Sequence, residues 1–196
     1  MAIGRPREFD VDQALDRALE VFWRHGYEGA AMSDLTAAMG INRPSLYAAY
    51  GNKESLFRKA LERYTEGPAR HVSEAMEQPT ARATAERLLY GTVDTVTAAG
   101  RPRGCLVVQG ALATGSAAEG VRAAVSAERM AGEVRLRERF ARAQQEGDLP
   151  ESVDTATLAR LVMVVNQGMA VHAADGVGPA ELRRVVEMTM ANFPGK

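Results

Sequence analysis

The chain has 196 residues, with 24 basic and 25 acidic side chains, a formal net charge of −1 and one cysteine. That length can bury a real core in one large domain or two small ones. The charge balance excludes a bulk polycation, so any nucleic-acid contact must rest on a local basic patch, and the lone cysteine excludes an internal disulfide and fits a reducing compartment.

Ala, Leu, Glu and Arg predominate and few stretches alternate with period two, so an all-α fold is expected. No apolar run approaches the ~20 residues that span a bilayer. The N-terminus, MAIGRPREFD, lacks the hydrophobic segment of a secretory signal. A cytoplasmic protein without membrane contact is the reading.

Residues before Asp10 read as a flexible arm. A first helix is predicted over about Asp10–His25, with Val11, Leu15, Ala18, Leu19 and Phe22 on one face and Gly26 as its stop. Further helices are expected over about Met32–Met39 and Arg43–Tyr50. A fourth starts at Asn52 or Lys53, buries Leu56, Phe57, Ala60, Leu61 and Tyr64, and is broken or bent at Gly67-Pro68. Beyond it the helices lengthen. They are placed at about Thr80–Ala98, from near Gly104 through Leu112, at Glu119–Glu146, at Asp154–Ala173 and at Pro179–Phe193. The change of grain near residue 67 suggests residues 1–66 as a small N-terminal domain and 67–196 as a larger helical body.

The densest signal is Asp34–Phe57, DLTAAMGINRPSLYAAYGNKESLF. Gly40 can take the positive φ that ends a helix, Ile41 plugs the turn, Asn42 is a good N-cap, and Pro44 sits in a first turn where its missing N–H costs nothing. A helix, a glycine turn and a second helix with a polar leading edge is the plan of a DNA-reading helix-turn-helix. Arg43 and Ser45 would then lie at the leading end of the reading helix, where Arg43 can donate two hydrogen bonds to a guanine O6/N7 pair. Pro44 and Ala48 offer apolar surface to a thymine methyl. Lys53 and the backbone N–H groups around it, at the start of the fourth helix, suit a phosphate. Leu46 and Tyr50 are expected in the core. Arg5 and Arg7, in the arm, read either as a minor-groove contact or as a tail with no fixed partner.

GRPREFD, then a helix ending in HGYEGAAMSDL, then GINRPSLYAAYGNKESLF, closely resembles the TetR/AcrR transcriptional regulators over about residues 4–60. The resemblance implies a phosphate contact for Tyr47, against core packing as the alternative, and lets Ser33 face DNA. The chain departs from the family at Ala30 and Ala31, where Thr or Ser usually caps the second helix. That missing cap should cost about 1 kcal/mol or move the start to Ser33.

The resemblance also implies a C-terminal body that binds a small inducer and forms a homodimer through its last two helices. The helix from Asp154 is apolar on most of its circumference, which requires burial on most of it. A second copy is the economical cover, and the expected interface is Leu158, Leu161, Val162, Val165, Met169 and His172 with Leu182, Val185, Val186, Thr189 and Phe193. Val164, Gly168 and Val171 add apolar surface on another side. Two reading helices would then meet palindromic half-sites in double-stranded DNA about one turn, ~34–36 Å, apart or a multiple of it. Candidate effector contacts are Tyr90, Thr97, Cys105, Gln109, Asn166 and Gln167, each of which could equally be a satisfied core or interface group. Cys105 could be a sensor or a buried structural thiol.

His25, His71 and His172 show no metal spacing, and no nucleophile elbow, phosphate loop or catalytic carboxylate pair appears. No cofactor, metal or catalytic residue is therefore expected. The expected function is a ligand-responsive regulator, a repressor rather than an activator, released from its operator by a small molecule. The alternative is a helical protein-interaction module that keeps the fold without reading DNA.

Overall fold

Asp10 opens α1 (Val11–Gly29): its carboxylate accepts from the backbone N–H groups of Asp12 at 2.9 Å and Gln13 at 3.1 Å. Two of the donors that a helix start leaves unpaired are thereby satisfied. In this computed structural model, residues 9–110 and 118–195 are described, so Arg5, Arg7 and Leu112 lie outside the described residues. Gly26 interrupts α1 with φ 68° and ψ −179°, and one further turn follows the expected stop. The buried face is Ala14, Ala18, Leu19, Phe22 and Trp23, while Val11 and Leu15 are half-buried.

α2 (Met32–Met39) and α3 (Arg43–Tyr50) are joined across Gly40, whose φ of 68° and ψ of 30° is the left-handed geometry that glycine adopts without a Cβ penalty. Asn42 caps α3 by accepting from the Ser45 N–H at 2.9 Å, and Asn52 caps α4 (Lys53–Glu66) by accepting from the Ser55 N–H at 2.7 Å. The α4 stripe of Leu56, Phe57, Ala60, Leu61 and Tyr64 is buried throughout. The N-cap of α2 is Ala31, with no side-chain hydrogen bond, so the helix keeps its start and forgoes the cap. Ala31→Ser is expected to stabilise the protein by about 1 kcal/mol, readable as a higher urea midpoint at unchanged slope.

α5 (His71–Met76) follows Gly67-Pro68 as a separate six-residue helix; its shortness hides it from a periodicity reading. Thr80 caps α6 (Ala81–Val96), accepting from the Ala83 N–H at 3.1 Å. The helix expected from Gly104 is only one turn among the described residues, α7 (Leu106–Gln109). The long α8 (Glu119–Gln145), α9 (Thr155–Ala174) and α10 (Pro179–Ala191) complete the chain.

Two apolar cores result. The first is built from α1–α4 but also takes in Leu106, Ala118, Val121 and Val125, so residues well beyond position 66 complete the N-terminal core. The second joins α6, α8, α9 and α10. It corrects the expected dimer stripe: Leu158, Val162, Met169, Leu182, Val186 and Phe193 are buried in the chain's own core. Packing of α6 and α8 against α9 covers that side, leaving the opposite side for a partner. Exposed there are Leu161, Val164, Val171 and His172 on α9 and Val185 and Met188 on α10, while Val165 and Thr189 are half-buried. Val164 is 62% and Met188 69% exposed, an apolar surface that isolated chains rarely present.

Candidate functional site

The outward face of α3 carries Arg43, Pro44, Tyr47 and Ala48, all exposed, with Ser45 half-buried. Tyr47 is 48% exposed, which removes it from the core. Leu46 and Tyr50 are buried, and the Tyr50 hydroxyl donates to the Val11 carbonyl at 2.7 Å. The helix is thus seated by its inner face and pinned to the start of α1, with its outer face clear. Ser33 is exposed on α2, 3.5 Å from the Asp34 carboxylate.

Lys53 does not stand free at the start of α4. Its ammonium lies 4.5 Å from the centroid of the Tyr27 ring, where the ring quadrupole attracts a cation. Burial lowers its pKa, opposed by Glu28, and burial raises that of Tyr27, assisted by Glu54 and Glu28. Tyr27 in turn stacks edge-on to Phe57 with centroids 5.4 Å apart. The base of the unit is braced by Arg63, whose guanidinium donates to both Asp16 carboxylate oxygens at 2.8 and 3.0 Å.

The segment around α7 binds this unit at both ends. The Trp23 indole N–H donates to the Gly104 carbonyl at 3.0 Å, and the Tyr27 N–H donates to the Gly110 carbonyl at 2.9 Å. Leu106, between them, is fully buried in the N-terminal core. A third tie runs from Arg58 of α4 to the Gly120 carbonyl at 2.9 Å.

The other side of the same segment lines a cavity of about 360 Å³, through Cys105, Val107 and Val108. Asn166 and Gln167 also line it. Tyr90, Thr97 and Gln109, also expected as effector contacts, are not among its lining residues. Tyr90 lies under the Arg183 guanidinium at 5.7 Å, Thr97 donates back to the Val93 carbonyl at 2.7 Å, and the Gln109 amide oxygen accepts from the Cys105 N–H at 3.1 Å. Burial raises the Cys105 thiol pKa, which disfavours the thiolate.

Sequence reasoning missed His71, Thr92 and Thr95, which form a polar chain beside this cavity. His71 Nε2 is 2.9 Å from the Thr92 hydroxyl, which donates to the Asn166 amide oxygen at 2.5 Å; His71 Nδ1 is 3.2 Å from the Thr95 hydroxyl. Only the fold gathers α5, α6 and α9 at this point. Burial first, and the Arg87 charge second, depress the His71 pKa from 6.5 to about 4. The unfolded chain therefore takes up this proton first. The contribution of His71 is complete above about pH 6.5 and is lost as pH falls toward 4, by roughly 3 kcal/mol. Urea titrations across that range should show this slope, and His71→Gln should flatten it.

Exposed reading helix, clear turn and helical body with a cavity define a helix-turn-helix regulator. Residues 14–60 match the family model described as bacterial regulatory proteins, tetR family, and residues 79–187 match the tetracyclin repressor-like C-terminal domain. The chain belongs to the TetR family of transcriptional regulators. It is 29% identical over 193 residues to the HTH-type transcriptional repressor ComR of Escherichia coli K12, covering 97% of this chain and 92% of ComR. A solved cysteine mutant of the TetR family regulator CifR, complexed with 26-bp double-strand operator DNA, is 44% identical with a TM-score of 0.93, covering 97% of this chain and all of that one. A putative TetR regulator from Rhodococcus sp. RHA1 is 40% identical with a TM-score of 0.65, covering 95% of this chain and all of that one. No helix among the described residues is long and apolar enough to cross a membrane.

Proposed function

We propose that this protein is a homodimeric repressor that holds a palindromic operator with the outer face of α3 and releases it when a small molecule fills the cavity. The observation that carries the reading is the exposed row of Arg43, Pro44, Tyr47 and Ala48 on a helix seated by buried Leu46 and Tyr50. CifR, bound to operator DNA, and ComR, a named repressor, support it. Residues 1–66 supply the reader and residues 67–196 the effector and dimer functions, with Leu106 lent to the reader's core. Arg43 and Ser45 address base edges, Pro44 and Ala48 a thymine methyl, and Tyr47, Ser33 and Lys53 the phosphates. Arg5 and Arg7 follow the adjacent minor groove.

Release has a physical route. The Gly104–Gly110 segment lines the cavity on one side and is hydrogen-bonded to Trp23 and Tyr27 on the other. Tyr64, also in the cavity wall, packs edge-on to Trp23 with centroids 4.8 Å apart. A ligand that favours a shifted segment therefore changes the orientation of the reader, and its effect is limited to its differential affinity for the two arrangements.

Selection of bound duplexes from a random pool tests the reading; a palindromic consensus is expected. Arg43→Ala should relax preference at one position per half-site, at a cost of about 1–3 kcal/mol. Lys53→Ala should weaken all sequences alike and reduce the salt dependence. Retention of the pool without sequence preference, or both variants binding as the parent does, would overturn the docking scheme.

A further inference from the structure

The groups inside the cavity share one property: none carries a charge near neutral pH. His71 is held neutral by burial, the Cys105 thiol and Tyr64 hydroxyl are both pushed up by burial, and Thr92 and Asn166 do not ionise. The remaining interior wall is Ala69, Val96, Val108, Met163 and Ala170, all buried. Four charged residues also line the cavity: Glu66 and Arg135 are exposed, Glu128 and Arg129 are half-buried, and Arg129 donates to the Val107 carbonyl at 2.8 Å. An ion taken in beside Asn166 would lose hydration among neutral groups, and Arg129, the charge that acts on Cys105, is already bonded to the Val107 carbonyl, so binding of the ion is disfavoured.

Two amides of α9 line the cavity with unused polar atoms, Asn166 and Gln167, and Asn166 is the one joined to the buried His71. Within the chain Thr95–His71–Thr92–Asn166, the Asn166 amide oxygen accepts from Thr92. Its amide nitrogen, with two N–H donors, has no hydrogen-bond partner among the described residues. The cavity, about 360 Å³, lies near the small end of the roughly 300–1,000 Å³ range of ligand pockets.

We infer that the effector is a small, uncharged, mainly apolar molecule bearing a hydrogen-bond acceptor oxygen, which Asn166 reads. The inference rests on the cavity being the effector site. It makes Asn166 a specificity residue and assigns His71 and Thr92 the task of orienting its amide. Acids and amines of the same size are disfavoured because the groups immediately around Asn166, namely His71, Thr92 and Thr95, are neutral.

The test uses fluorescent probes on the full-length protein, bound and free of operator. Phenylnaphthylamine is neutral; anilinonaphthalene sulfonate has the same skeleton with a fixed negative charge. Prodan is neutral and carries a ketone oxygen. Gly132 lines the cavity, and a Cβ there would meet only the Met163 methyl, at 3.5 Å, so Gly132→Leu obstructs the cavity without backbone strain. The expected result is binding of both neutral probes, abolished by Gly132→Leu, with no sulfonate binding sensitive to that substitution. Asn166→Leu should weaken prodan by about fivefold to tenfold, one hydrogen bond's worth, and leave phenylnaphthylamine unchanged. Gly132→Leu-sensitive sulfonate binding as tight as that of the neutral analogue would overturn the inference, as would prodan affinity indifferent to Asn166. Operator release is read separately. Neutral probes that enter the cavity and leave DNA bound would sustain the ligand chemistry while removing the cavity from the release mechanism.

Discussion

Val164→Asp should leave the protein folded but monomeric and should reduce operator affinity by about 10²–10⁴-fold. Val164 is 62% exposed on α9, and substitutions at such positions typically change chain stability by no more than about 0.5 kcal/mol. In the proposed dimer the same carboxylate is brought into the apolar surface of Leu161, Val171, Val185 and Met188, where losing its hydration is costly. A monomer offers one reading helix and loses the effective concentration of the second. Light scattering after size exclusion, with an operator titration, reads both quantities. Val162→Asp is the contrasting variant: Val162 is fully buried in the chain's own core, and a charge there should unfold the body. A dimer that survived Val164→Asp would place the interface elsewhere.

Phe57→Ala should destabilise the N-terminal unit by about 3–5 kcal/mol. Phe57 is fully buried and meets Phe22 and Tyr27 edge-on, with centroids 5.1 and 5.4 Å away. Removing it empties the junction of α1 and α4 and undermines Tyr27, on which Lys53 rests. Urea denaturation should show the loss, and operator binding should fail with it. Native-like stability in Phe57→Ala would mean that neighbouring side chains collapse into the space, contrary to a tightly packed core.

Much of the reading unit was legible because its determinants are local. Gly40 and Asn42 act on their immediate neighbours, and the structure shows each in its expected turn or cap, while the fourth helix begins where expected, with Asn52 as its cap. The absent cap at Ala31 was legible for the same reason. Lys53 was less so, because the ring beneath its ammonium belongs to Tyr27, on the other side of the helix-turn-helix. The cavity was least legible. Cys105, Asn166 and Gln167 were anticipated, but so were Tyr90, Thr97 and Gln109, and polar residue type alone does not distinguish a lining group from one bonded back to its own helix.

The last two helices show where sequence stops. Periodicity established that α9 is apolar around most of its circumference and so requires cover on more than one side. Which side belongs to the chain and which to a partner depends on where α6 and α8 pack, a matter of tertiary contacts far apart in sequence. By itself the sequence determined the all-α class, the helix-turn-helix, its caps and its family. Tertiary structure alone decided that Leu158, Val162 and Met169 face inward while Leu161 and Val164 face outward. It alone brought His71, Thr92 and Asn166 together beside one cavity. Helix starts and turns are set by short-range backbone bonding, whereas faces and cavities are set by which distant surfaces exclude water together.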